Sequence, residues 1–300
     1  MSIINSLITS VLPFCPKWFA KPFAKPYVAG ENINEALEKV KILNTKGFSA
    51  TIDILGEHTK TIDIAEKITN QYCMLYKKIY EQSLDCSISV KPTHIGLDIS
   101  MTEVIKNVTK IITEAKKFDN FLRIDMESSK VTDQTIKIFE HFKKKYSEIG
   151  LVMQAYLFRT QSDIEILSNI HFNARICKGI YKEKKQISYD KPEDIKKNFL
   201  MLAKHMAKKK SYCGYATHDQ DLIENLLNWI KDENISKELF EFQVLFGVPM
   251  GGRLESLIQN GFKVRVYVPF GPDWYDYSLR RLNENPKIAT YVLKNLFKRE

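Results

Sequence analysis

From Phe48 onward the chain repeats one rhythm: a short run of β-branched and aromatic residues, then a longer segment whose apolar positions recur at helical spacing. The pattern predicts strands at Ser49–Leu55, Cys86–Lys91, Phe121–Met126, Leu151–Tyr156, Ala174–Ile180, Ser211–Thr217, Phe240–Phe246 and Lys263–Val268. Between them it predicts helices at 58–83, 100–116, 131–146, 161–169, 191–209, 219–231 and 251–260, and a last one from about Asp273. Strands alternating with helices imply parallel pairing through right-handed crossovers. Eight such units in about 250 residues predict an α/β fold, a closed (β/α)8 TIM-type barrel. An open doubly wound sheet would ordinarily carry a glycine-rich phosphate turn after its first strand. Here that turn reads Asp53-Ile54-Leu55-Gly56-Glu57, with neither GxGxxG nor a Walker loop. Residues 33–46 read as a helix packed outside the barrel, so the expected division is an N-terminal helical arm, 1–46, and a barrel, 47–300.

Because side chains alternate along a strand, each run splits into a face toward the helices and a face toward the barrel axis. Ala50, Ile52 and Ile54 oppose Thr51, Asp53 and Leu55; Ile88 and Val90 oppose Ser87, Ser89 and Lys91; Leu122 and Ile124 oppose Arg123 and Asp125. Leu151 and Met153 oppose Val152 and Gln154, and Ile176 opposes Arg175 and Cys177. Phe242 and Val244 oppose Glu241, Gln243 and Leu245, while Val264 and Val266 oppose Arg265 and Tyr267. Barrel lumens are ordinarily filled with branched aliphatics. This one holds Asp53, Asp125 and Glu241 against Lys91, Arg123, Arg175 and Arg265, leaving one positive charge for an anionic ligand. Breaking a buried ion pair costs about 3–5 kcal/mol, so such a set needs mutual pairing or a ligand.

Composition narrows the partners. The 300 residues carry 45 Lys and Arg against 36 Asp and Glu, a net charge of +9, which favours anions. The lysine runs 143–145 and 208–210 fall at predicted helix ends, where cations suit the helix dipole, and no zinc-finger spacing or basic region points to nucleic acid. Five cysteines, never spaced CxxC, indicate a reducing compartment and neither a disulfide framework nor a zinc site. Residues 1–16 lack charged side chains but are interrupted by Pro13 and fall short of a bilayer span. They read as a short amphipathic arm that packs on its own protein or touches a membrane surface.

The last helical segment carries adjacent arginines, Arg280 and Arg281, with Glu284 four and three residues on, able to orient either guanidinium. Two planar forks suit a small carboxylate. Lys91 or Lys178 as a Schiff-base nucleophile is a second chemistry open to such a barrel. Of the six histidines only His218 falls at a strand end; His58, His141 and His205 read as helix-surface residues.

Taken in order, the motifs Tyr27-Val28-Ala29-Gly30-Glu31, Asp53-Ile54-Leu55-Gly56-Glu57, Ser89-Val90-Lys91, Arg123-Ile124-Asp125-Met126-Glu127, Gln154-Ala155-Tyr156, Arg175-Ile176-Cys177-Lys178-Gly179-Ile180-Tyr181, Ala216-Thr217-His218-Asp219, Glu241-Phe242-Gln243, Tyr267-Val268-Pro269-Phe270-Gly271 and Tyr277-Ser278-Leu279-Arg280-Arg281-Leu282-Asn283-Glu284 resemble the proline dehydrogenase family over about residues 27–300. The resemblance implies an FAD-dependent barrel enzyme that oxidises L-proline to 1-pyrroline-5-carboxylate by hydride transfer to the flavin and passes electrons to a quinone. It implies that Lys91, Arg280 and Arg281 hold the substrate carboxylate, that Tyr267, Leu245 and Tyr181 enclose the ring, and that Asp125 and Arg175 are active-site polar residues. It further implies that Gln154, Arg175, Lys178, Gly179, Ile180, Thr217, His218 and Met126 hold the flavin, and that Glu57 forms an ion-pair gate with Arg280 beside Glu284. Cys177 and Ile180 stand where the family more usually has an aliphatic residue and alanine, and 247–253 is less familiar. A cytoplasmic, single-function enzyme, peripheral at most on the inner face of the membrane, is the expectation; the length leaves no room for DNA-binding or aldehyde dehydrogenase partners. A membrane-associated binding protein that keeps the barrel without turnover, and an enzyme acting on hydroxyproline or another cyclic imino acid, are the alternatives.

Overall fold

The computed structural model describes residues 26–168, 172–275 and 277–279. Eight parallel strands close into a barrel in chain order: β1 (Ser49–Ile54), β2 (Cys86–Val90), β3 (Leu122–Ile124), β4 (Ile149–Gln154), β5 (Asn173–Cys177), β6 (Tyr212–Ala216), β7 (Phe240–Leu245) and β8 (Val264–Phe270). Closure is made by β1 against β8, with Ser49 opposite Arg265 and Thr51 opposite Tyr267. Helix α1 (Ile33–Thr45) precedes the barrel. The crossovers are α2 (Ile62–Glu81), α3 (Met101–Lys117), α4 (Thr132–Lys143), α5 (Thr160–Leu167), α6 (Pro192–Lys208), α7 (Gln220–Asp232) and α8 (Arg253–Gln259). The TIM-type barrel expected from the alternation is the observed fold.

The physical reason is the two periodicities. The outward residues Ile52, Ile88, Leu122, Leu151, Ile176, Phe242 and Val264 are buried under the helices. They meet apolar stripes such as Val104, Val108 and Ile111 of α3 and Leu222, Leu226 and Ile230 of α7. Side-chain caps start several helices: Asn32 accepts from Glu35 N, Ser100 from Glu103 N and Asp219 from Leu222 N. Helix α1 buries Ala36, Leu37 and Val40 beside β1 and β8. Helices α4 and α6 end at Lys143 and Lys208, inside the lysine runs.

Several boundaries move, each for a local reason. Helix α2 begins at Ile62, not at 58, because His58 takes a left-handed φ of 58° and its N–H donates to Thr93 Oγ1. His58 is therefore a loop residue paired with Asp98, which corrects its assignment to a helix surface. Strand β5 stops at Cys177 because Gly179 turns at φ +107° with no room for a side chain: a Cβ there would stand 2.2 Å from the Tyr156 ring. Strand β8 continues through Pro269, whose carbonyl accepts from Ala29 N. Cys73, Cys86, Cys177 and Cys213 are free thiols. Among the described residues no helix is long and apolar enough to cross a membrane.

Candidate active site

The inward residues form two layers, and register decides which residue joins which. The mouth is at the C-terminal ends of the strands, where a cavity of about 740 Å³ opens. The base lies at the N-terminal ends around a chamber of about 150 Å³. Arg175 and Gln243 line both and form the partition between them.

At the mouth each inward cation has a carboxylate. Lys91, just past β2, donates to Asp53 of β1 at 2.5 Å. Burial opposes its charge, but Asp53 and Asp125 hold its pKa above the ordinary lysine value. A lysine held protonated is a carboxylate-binding cation, not a nucleophile, so the Schiff-base reading fails for Lys91. Lys178, the other candidate, is ion-paired with Asp219 at 2.6 Å. Asp53 also accepts from Tyr72 of α2, while burial pushes its own pKa up. Asp125 is surrounded by donors: Ser89 at 2.5 Å, Arg175 Nη1 at 2.9 Å and the Tyr267 hydroxyl at 3.0 Å. The Arg175 guanidinium lies 5.0 Å from the Tyr267 ring centroid, a cation–π contact. Burial, then Asp125 and Asp53, raise the Tyr267 pKa, so its hydroxyl stays a donor.

The far wall comes from β4, β5, β6 and the loops that follow. Gln154 donates its amide to the carbonyls of Met126 and Glu127, at 3.1 and 3.2 Å. Its own Oε1 is buried with no partner among the described residues. Lys178, Gly179, Ile180 and Tyr181 follow β5 on the same rim. Lys178 and Lys196 both reach Asp219, the cap of α7; burial would raise its pKa, but the two lysine bonds hold it at about 2. Thr217 Oγ1 accepts from Asp219 N, and His218 Nε2 accepts from Leu245 N at 2.8 Å, which assigns its proton to Nδ1 when neutral. Tyr181 donates to Glu57 Oε1 at 3.3 Å.

All the sequence-predicted residues that the structure describes line this one cavity: Glu57, Lys91, Asp125, Met126, Gln154, Arg175, Lys178, Gly179, Ile180, Tyr181, Thr217, His218, Leu245 and Tyr267. Arg280, Arg281 and Glu284 lie outside the described residues. The surplus cation predicted for a ligand is a correction. It is Arg123, which sits at the base, donating to the carbonyls of Leu151 and Asn173 and to Asn173 Oδ1, while Arg265 takes Glu241 at 2.7 Å.

Sequence reasoning gave no role to three buried groups near the mouth. Glu127 holds Thr93 through its backbone N–H and hydroxyl, and burial pushes its carboxyl up to about 7. His94 packs over Gly56, where a Cβ would be 2.2 Å from Nε2; burial, then Lys91, push its pKa down to about 3. Gln243 ties Arg175 to Glu241. The signals were there: Pro92 ending a strand before Thr93-His94, and an inward glycine, Gly214, facing the position Gln243 fills.

The family model for proline dehydrogenase matches residues 36–293. Proline dehydrogenase 2 of Bacillus subtilis (strain 168) is 34% identical over 282 residues, 94% of this chain and 93% of that protein. Proline dehydrogenase 1 of Bacillus subtilis subsp. natto is 35% identical over 94% of each chain. Proline dehydrogenase of Deinococcus radiodurans is 30% identical over 92% of this chain and 90% of its own. Among solved structures, proline utilization A from Bdellovibrio bacteriovorus, inactivated by N-propargylglycine, superposes with a TM-score of 0.83 at 24% identity, a likeness of fold. That alignment takes in 90% of this chain and 33% of the other, so this chain spans about a third of that protein. With the family match running through the whole barrel and such relatives matched nearly end to end, the protein belongs to the proline dehydrogenase family.

Proposed function

We propose that the chain is an FAD-dependent L-proline dehydrogenase that produces 1-pyrroline-5-carboxylate, the first step of proline catabolism toward glutamate, with a quinone as electron acceptor. What carries the reading is the convergence, in a chain of this family, of Lys91, Asp125, Arg175 and Tyr267 with the unpartnered Gln154 Oε1 on one cavity of about 740 Å³. That volume falls within the range of small-molecule and cofactor sites, about 300–1,000 Å³. Gln154 Oε1 is a buried acceptor that an isoalloxazine N–H would satisfy, and Lys178 on the cavity rim, paired with Asp219, would suit a pyrophosphate, so the residues fit the group.

When bound, FAD supplies the hydride acceptor. Everything else is done by the chain. Lys91, kept cationic by Asp53, takes the substrate carboxylate together with Arg280 and Arg281, and holding a small zwitterion by one end fixes its reactive carbon. Tyr267 offers its ring as the seat for the pyrrolidine, and its hydroxyl is tied down by Asp125. Arg175, paired with Asp125, holds a preorganised positive charge on the cavity wall, which would favour an electron acceptor bound there. The domain division at residue 46, the Glu57–Arg280 gate with Glu284 beside it, and a cytoplasmic location with peripheral membrane contact for quinone access belong to the same proposal.

The experiment is anaerobic mixing of purified protein with proline. The expected outcome is a yellow protein, its flavin released as FAD on denaturation, whose visible absorbance proline bleaches. A colourless protein that takes up no FAD overturns the proposal.

A further inference from the structure

Glu241 and Gln243 are two residues apart on β7, so both point into the lumen, one at the base and one in the partition. Gln243 Oε1 accepts from Arg175 Nε at 2.6 Å, and Gln243 Nε2 donates to Glu241 Oε1 at 2.5 Å. Each partner has one hydrogen-bonding sense only: a guanidinium donates and an ionised carboxylate accepts. The amide therefore has a single satisfied orientation, and Glu241 selects it. Glu241 is anchored in turn by Arg265 Nε at 2.7 Å, and burial notwithstanding, Arg265 holds its carboxyl below the ordinary value. On the other side, Arg175 spends Nη1 on Asp125 and Ser89, at 2.9 and 3.3 Å, so the amide fixes a second edge of the guanidinium plane. Space for the amide comes from Gly214 of β6, opposite Glu241 in register, where a Cβ would stand 2.4 Å from Gln243 Nε2.

We propose that Glu241, at the base of the barrel and away from the mouth cavity, is a positioning residue that acts through the Gln243 amide to orient the Arg175 guanidinium, and with it the Asp125–Tyr267 pair. The inference rests on the reading of the mouth as the proline-oxidising site, and it assigns to a base carboxylate an effect on the chemistry above. Glu241→Met removes the acceptor of Gln243 Nε2, whereas Glu241→Gln keeps an oxygen where both Gln243 Nε2 and Arg265 Nε donate and is the conservative control. Gln243→Glu instead abuts two carboxylates that must share a proton.

The test compares Glu241→Met, Glu241→Gln, Gln243→Glu and Gly214→Ala, the last displacing the amide without altering any polar group. The readouts on the holoenzyme are kcat and KM for proline and the midpoint potential of the bound flavin; a third, independent of turnover, is the Arg175 Nε–H resonance in nitrogen-15-labelled protein. Expected for Glu241→Met and Gly214→Ala are a roughly tenfold fall in kcat, the loss expected of one hydrogen bond to a charged group, with KM held within about twofold and the potential lowered. The Arg175 resonance moves in both, Gln243→Glu gains a pH-dependent limb in kcat, and Glu241→Gln keeps resonance and kcat close to wild type. An Arg175 resonance and potential unmoved in Glu241→Met and Gly214→Ala, or a Glu241→Gln no better than Glu241→Met, overturns the inference. Failure of the wild type to be bleached by proline overturns the activity reading instead, and the resonance still decides the positioning claim.

Discussion

The two ends of the barrel lumen are built from the same residue types and solve the problem of buried charge differently. At the base, Arg123 donates to two carbonyls and one asparagine side chain, and Arg265 divides its donors between Glu241 and the Ala50 carbonyl. Backbone acceptors are spatially fixed, so these arginines clamp neighbouring strands. At the mouth, Lys91 and Arg175 take carboxylates carried by other strands, and a buried acceptor, Gln154 Oε1, is left open. The base uses charge to close the barrel, whereas the mouth holds charge ready for something that enters. Below the mouth, inward glycines make room for polar side chains: Gly150, where a Cβ would stand 2.3 Å from Arg123 Nη1, and Gly214, opposite Glu241 and beside Gln243.

The contrast breaks most sharply at Asp125. Asp125→Ala strips Arg175 and Tyr267 of their shared acceptor, and removing one partner of a buried pair costs about 3–5 kcal/mol. If that cost falls on the reactive geometry, kcat/KM for flavin reduction by proline drops roughly 10²- to 10⁴-fold. A loss under tenfold would place Asp125 among the clamps.

Next in size is the contrast between two carboxylates. Glu241, beside Arg265, is held below its ordinary pKa, whereas Glu127 is pushed up by burial from 4.5 to about 7. The folded chain then keeps a proton on Glu127 between these values that the unfolded chain has lost, so this group makes stability fall as pH rises from 4.5 to about 7. The span is worth about 3 kcal/mol by linkage. His94, pushed from 6.5 down to about 3, contributes the opposite slope below 6.5. Denaturant unfolding of Glu127→Gln against wild type across pH 4–8 isolates the Glu127 share. The variant is expected to gain stability with rising pH where the wild type stays flatter; parallel curves would refute the shift.

The smallest effect sharpens the comparison from below. Arg123→Met removes a clamp and is expected to cost about 1–3 kcal/mol of stability, read as a lower denaturant midpoint. The flavin spectrum and the KM for proline are expected to stay where they are. A changed KM would mean that the base chamber communicates with the substrate through Arg175.

The sequence by itself determined the number of strand–helix units, the parallel barrel and which side chains point inward, because periods of 2 and 3.6 are local properties of the chain. Alternation showed that Lys91, Asp125 and Arg175 point inward, and the resemblance to the proline dehydrogenase family singled them out, with Gln154 and Tyr267, as site residues; all five line the mouth. Height along the barrel axis was not legible. It depends on the stagger between neighbouring strands, which sets Arg123 opposite Gly150 and Gly214 opposite Glu241, and no strand carries that information alone. So the surplus cation went to the wrong end, and the Gln243 link between the layers, the Glu127–Thr93 clasp and His94 over Gly56 emerged only on closure. Tertiary structure decided these contacts because each joins groups from different strands or loops at hydrogen-bond range, where a shift of one residue in register would replace every partner.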